Sequence, residues 1–158
     1  ALLKERVGST AAISTVAIVA LGTGMGIGRW YGGLVLKNLS LDTQLLSIIA
    51  LQFLGFLGFW LSHNMVLSLI CLLVVGLGIS MQFALSSIRL IGLSDGRPDL
   101  AIGRASLAAG IAIAGAPFLL GLLGDSFGIS RAYIMVFVLI AIAFVIVKVI
   151  PSHVKESA

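Results

Sequence analysis

The hydrophobic positions of the chain gather into five long runs, at about 10–36, 44–61, 65–93, 101–124 and 132–150, separated by short polar intervals. Each run is long enough for an α-helix to cross a hydrocarbon core ~30 Å thick, which takes about 20 residues (range ~17–25). The intervals hold turn formers and charges: Lys37-Asn38-Leu39-Ser40-Leu41-Asp42, then Ser62-His63-Asn64, then Ser94-Asp95-Gly96-Arg97-Pro98-Asp99, then Asp125 to Arg131. Connections this short make successive helices antiparallel neighbours. The pattern predicts an all-α, polytopic membrane protein with five transmembrane helices in a single domain, 1–158.

Composition strengthens that reading. Of 158 residues, 59% are hydrophobic and 10% charged, and the mean hydropathy is +1.19, whereas soluble domains are roughly one-quarter charged. No water-soluble fold hides so much apolar surface. The formal charge is +4, but the bases stand at the ends of apolar runs and not on a basic face interleaved with aromatics, so no nucleic-acid partner is expected. Cys71 is alone inside a run, which excludes a disulfide framework or Cys-rich metal site and suits a small packing residue. The first run is too long for a signal peptide and lacks a cleavage site. A chain that opens on Ala1 in place of Met is expected to be a fragment or a processed product.

Five spans put the termini on opposite sides. Lys4, Arg6 and Arg131 fall on the N-terminal side; Arg29, Lys37, Arg89, Arg97, Arg104, Lys148 and Lys155 fall on the other. The positive-inside rule then places the C-terminus in the cytoplasm, with the N-terminus outside.

Small residues distinguish the runs. Gly22 and Gly26, and Gly24, Gly28 and Gly32, recur every four residues, so each set lines a helix face that admits a neighbour closely. The overlapping GxGxxG pattern follows no strand and has no acidic residue about twenty positions on, so it does not read as a dinucleotide site. Runs one, three and four are rich in Gly, Ser and Thr and are expected to line the interior. Runs two and five, the latter reading YIMVFVLIAIAFVIV, are expected outside.

No Asp, Glu, Lys or His stands in the middle of a run, and no nucleophile has a neighbouring base. The chain is therefore expected to be no enzyme and to need no metal or cofactor. His63 and His153 read as solvated loop and tail residues. Cys71, Val75, Gly78, Gln82, Ser86 and Arg89 share one helix face. The Gln82 amide needs a partner in lipid, and it either bonds a neighbouring helix or faces a water-filled cavity and reads a solute. Thr23, at a similar depth on the first run, and Ser106 on the fourth join Gln82 as candidate solute contacts. Pro117 removes a backbone donor and is expected to bend the fourth helix. Arg29, Arg89 and Arg104 cluster near the inner ends with Asp95 and Asp99, either as snorkelling anchors or as a charge network locking those ends. Asp125 opposes the dipole of a helix C-terminus and is expected to cap the fifth helix or pair with Arg131.

Three segments carry a resemblance: GIGRWYGG at 26–33, the start of the small-residue run from Arg104 to Gly110, and AGAPFLLGLLGDSFGISRAY at 114–133, with Pro117, Gly121, Asp125 and Gly128. In these the chain resembles the C-terminal half of a major facilitator superfamily transporter, helices eight to twelve. The resemblance implies a partial bundle of that type, a missing N-terminal half, and transport of a small organic solute by alternating access. It implies gating or structural roles for Arg29, Arg89, Arg104, Pro117, Gly121, Asp125 and Gly128. The implied setting is the cell membrane, with the lipid bilayer and the solute as partners. The loop after the first run departs from the family pattern, with Leu36-Lys37-Asn38 where an acidic-basic pair often stands. The alternative is a non-transporting five-span protein that oligomerises through its glycine faces.

Overall fold

The structure is a computed structural model that describes residues 11–94 and 96–150, with side chains from 15 onward. Lys4, Arg6, Asp95, His153 and Lys155, which bear on the orientation and charge-network expectations, lie outside the described residues. All regular structure among the described residues is helical: α1 (Ala11–Leu36), α2 (Leu41–Leu61), α3 (Met65–Gly92), α4 (Pro98–Phe127), α5 (Ile129–Ala132) and α6 (Ile134–Val149). Four segments are long and apolar enough to cross a membrane: Leu41–Leu61, Met65–Gly92, Pro98–Phe127 and the combined Ile129–Val149. The protein is thus an all-helical chain with the makeup of an integral membrane protein. The 26-residue α1 is not among those four.

Helix limits follow from capping. Ser40 caps α2, its Oγ accepting from the Thr43 N–H at 3.4 Å, and the Gln44 amide donates to the Leu39 carbonyl at 2.8 Å. The helix therefore begins at Leu41, ahead of the apolar run, with Asp42 in a first turn that favours a negative charge. Asn64 opens α3 by accepting the Val66 N–H on Oδ1 at 2.9 Å. Pro98 opens α4, where a missing N–H costs nothing. At its other end α4 continues to Phe127, so Asp125 lies in the last helical turn and not in a loop. A single non-helical residue, Gly128, separates α4 from α5.

The chain forms two compact units, Ala1–Phe83 and Ala84–Ala158, divided inside α3. In the first unit α3 packs against both α1 and α2, and glycine sets the spacing. A Cβ added at Gly24 would overlap the Leu73 carbonyl, one at Gly28 would meet Ser80 and the Leu77 carbonyl, and one at Gly32 would strike Met81 Sδ. From the opposite helix, a Cβ at Gly76 would overlap the Leu21 carbonyl and approach the Gly24 Cα at 3.2 Å. On the α2 side, Gly55 lies against Val74 and Val75, Gly58 against Cys71, and Gly78 against Gln52 and the Ile48 carbonyl. These are backbone approaches that a methyl group would prevent, the kind of contact that holds helices together where lipid removes the hydrophobic drive. Of the two glycine faces on α1, the 24/28/32 set is used; Gly22 and Gly26 face open space.

In the second unit, Ala132, Ile140 and Val147 are buried, and the Ile129 side chain sits beside Gly124. α4 itself contributes Ala101 alone to the buried set, whereas α2 contributes Leu45, Ile48, Ile49, Gly55 and Phe56. The burial of α2 within the first unit runs against the expectation that this helix lies outside, while α4 is little buried within its own unit. The stripe on α2 recurs at three- and four-residue steps and fits a neighbour that supplies its own glycine, Gly78, so α2 needs few small residues to be buried.

The glycine seam predicts a sharp asymmetry. Gly24→Ala and Gly76→Ala should each lower stability by about 1–3 kcal/mol through overpacking. Gly26→Ala, which meets nothing, should stay within ~0.5 kcal/mol of the parent. Thermal unfolding in detergent micelles measures both, and equal shifts at positions 24 and 26 would sink the seam.

Candidate functional site

The residues that sequence patterns single out do not converge on one spot. In the first unit the seam fixes the register of α1 and α3, which run parallel: Gly24 lies level with Leu73 and Gly76, and Gly32 with Met81. Thr23 is therefore seven to ten residues from the level of Gln82, about 11–15 Å along the helix axis at the usual rise. The expectation of a shared depth is corrected on this register. Gln82 is half-buried and Thr23 is exposed. Ser106 is exposed on α4, in the second unit.

One polar group of the first unit went unweighted. Gln52 Oε1 is buried without a hydrogen-bond partner, beside Gly78 on α3. An unsatisfied buried acceptor costs ~1–3 kcal/mol. Glutamine in an apolar run is itself a signal, but the assignment of this helix to the outside concealed it. Other hydroxyls in the unit are satisfied locally: Ser80 donates to the Leu77 carbonyl at 2.7 Å, and Ser68 to the Asn64 carbonyl at 2.9 Å. Ser80 is thereby tied to its own helix and leaves a smooth surface for Gly28.

The three arginines singled out by the sequence have separate fates. Arg29 and Arg104 are exposed. Arg89 is 8% exposed and donates from Nη2 to the carbonyl of Val147, at 3.3 Å, and to that of Ile150. These carbonyls end α6, where the last turn has no helical N–H to accept and the macrodipole is negative. A guanidinium, with several donors in a fixed fork, meets both needs at once. Arg89 therefore ties the last turn of α3 to the last turn of α6, and the two helices finish at the same end of the unit. The contact is a cation on backbone carbonyls and involves neither Arg29 nor Arg104 of the expected charge network.

The far end of the unit turns on Gly128, at φ 84° and ψ 148°, a region essentially confined to glycine. Its N–H donates to the Gly124 carbonyl at 3.0 Å, closing α4, and its own carbonyl accepts the Ala132 N–H at 3.0 Å, opening α5. The expected cap from Asp125 is absent: α5 starts at Gly128 without a side-chain cap bond, and Asp125 is exposed. The glycine does this with backbone alone. Pro117 and Gly121 are exposed on α4, and a Cβ at Gly121 would meet nothing.

α4 carries two distinct surfaces. Leu107, Ile111, Phe118 and Leu122 repeat at steps of four, seven and four and are 50–67% exposed. Ser106, Gly110, Pro117 and Gly121 follow the same steps one residue earlier, on an adjoining face turned by about 100°. Bulky side chains suit lipid; a face of small residues suits protein or water. No group of three or more His, Cys, Asp or Glu that could hold a metal occurs among the described residues. No protein-family model, curated protein or solved structure matches the chain.

Two substitutions test the ends of the second unit. Arg89→Met leaves the Val147 and Ile150 carbonyls without their donor and should cost about 1.5–3 kcal/mol, seen as faster hydrogen exchange in the last turn of α6. Gly128→Ala forces a Cβ into a disfavoured backbone region at about 1–3 kcal/mol and should lower membrane abundance. Gly121→Ala, in open space, serves as the control and should leave abundance unchanged.

Proposed function

We propose that the chain is part of a secondary transporter that moves a small organic solute across the membrane by alternating access. The observation that carries the reading is α4, a 30-residue helix with an internal proline and a face of small and hydroxyl residues that nothing else in the second unit covers. A membrane-length helix with such a face calls for a closely fitting partner or for water. In a transporter built from two helical repeats the same helix meets both, because the solute site lies near the midplane where the repeats face each other. The order of segments that resembles the major facilitator superfamily supports the same reading, with α1 as a further span and a second helical half as the partner.

On this reading Ser106, Gly110, Pro117 and Gly121 line the stretch of cavity wall that the second unit contributes, and Gln82 is a separate candidate solute contact of the first unit. On the same reading Arg89, which ties the last turn of α3 to the end of α6, and Gly128, which joins α4 to α5, give the second unit the fixed ends that a rocking mechanism requires. The runs carry no acidic residue at mid-depth, so a coupled proton would be handled by the other half. The C-terminus is cytoplasmic, in the cell membrane.

A second reading from a different class rests on the same exposed helix. Gly103, Gly110 and Gly121 each meet open space, and a second copy of the chain could seat against them, giving an oligomer without transport.

Thiol labelling separates the two. In the full-length gene product with Cys71 replaced by alanine, Ser106→Cys and Gly110→Cys should react with a membrane-impermeant reagent, and Leu107→Cys and Ile111→Cys should not. Disulfide cross-links between copies through position 110, with no labelling from water, would favour the oligomer and overturn the transporter reading. Gln82→Leu should alter solute uptake while membrane abundance stays near normal; lower abundance with unchanged kinetics would return Gln82 to packing.

A further inference from the structure

A cleft of about 480 Å³ opens between the last turn of α3 and the first turns of α4, lined by Leu90, Leu93, Ser94, Arg97, Leu100 and Arg104. It lies wholly within the second unit, and neither solute contacts nor helix caps use it. Its lining divides in two. Arg97 precedes α4 and Arg104 stands two turns into it, seven residues on, so both lie on one side of the helix. Leu90 and Leu93 come from α3 and Leu100 from α4, with Leu90 and Leu100 37% and 48% exposed. Ser94 spends its hydroxyl on the Ile91 carbonyl at 2.6 Å and leaves the cations to dominate the polar part. Asp99 is placed about 200° around the helix from Arg97 and 140° from Arg104, on the opposite side. The opening turn of α4 carries no side-chain cap, so its N–H groups add to the positive potential.

Two guanidinium groups beside an apolar wall, at the ends of two helices long enough to cross a membrane, match one molecule in both halves. An anionic phospholipid presents a phosphate that pairs with arginine in bidentate fashion and, one glycerol away, acyl chains that lie against leucine. A soluble anion would leave the leucines exposed to water, and a neutral lipid would leave the arginine pair without added counter-charge. We infer that this cleft is a binding site for an anionic phospholipid headgroup, with Arg97 and Arg104 on the phosphate and Leu90, Leu93 and Leu100 against the upper acyl chain. The inference stands whether or not the chain transports a solute. An anionic headgroup gathers where the leaflet is negative, so the site would also hold the α3–α4 connection at the inner face.

The test uses the purified full chain in phosphatidylcholine vesicles with and without phosphatidylglycerol, and reads the phosphatidylglycerol retained on the protein by native mass spectrometry. Each arginine near an anionic surface contributes about fivefold, so R97Q/R104Q should lower retention ~30-fold. Lys37→Gln, which removes one cation outside the cleft, should lower it by no more than the about fivefold of a single general surface cation. Retention that survives R97Q/R104Q, or falls equally with Lys37→Gln, overturns the site. Displacement of the lipid by an equal concentration of inorganic phosphate overturns it in favour of a soluble anion. If the glutamine pair fails to fold, the single variants R97Q and R104Q decide: a fall of about fivefold in each upholds the site, and unchanged retention in both overturns it.

Discussion

The structure of the first unit depends on how closely one backbone can approach another. In lipid, apolar side chains gain little by leaving the solvent, and helices adhere through van der Waals contact over short distances. Gly24, Gly28 and Gly32 on α1, Gly55 and Gly58 on α2, and Gly76 and Gly78 on α3 remove the side chains that would keep the axes apart. The meeting of Gly76 with Gly24 and the Leu21 carbonyl fixes the register of α1 on α3; Gly78 against the Ile48 carbonyl fixes α2 on the same helix. That register decides which polar groups share a level, and it separates Thr23 from Gln82.

The second unit is held by a different means. Its long helix, α4, buries little, and a Cβ added at Gly103, Gly110, Gly115 or Gly121 would meet no neighbour within the unit. Order comes from the ends. At one end Arg89 satisfies the terminal carbonyls of α6, and at the other Gly128 reverses the chain by a backbone conformation closed to other residues. α4, closed at Gly128 and open along its length within the unit, can meet a partner without first breaking internal packing.

Particular residues show where pattern reading reached its limit. The helices and their order were legible, because an apolar run of membrane length has few alternatives to a helix. Their ends were less so: Asp125 looks like a loop residue, yet the helix keeps it, since the turn needs only Gly128. The exposure of α4 was not legible either. Small residues announce that a helix can pack closely and do not announce where its partner is. The α2 stripe of Leu45, Ile48, Ile49 and Phe56 was present in the sequence, but set beside the glycine-rich runs it read as an outer helix. The Arg89 cap could not be read at all, since its acceptors are backbone carbonyls 58 and 61 residues away and a carbonyl has no letter in the sequence.

By itself, then, the sequence determined that the chain is helical and of membrane makeup, where its long helices lie, and which faces can come close. Those properties follow from local composition: every residue of a run must satisfy its own backbone in lipid, and each glycine carries its small size wherever the helix goes. Only the tertiary structure decided which of the two glycine faces on α1 is used, at what register, and which arginine is buried. These outcomes depend on carbonyls and side chains brought together from distant parts of the chain, and packing one helix on another selects among faces that the local sequence makes equally available.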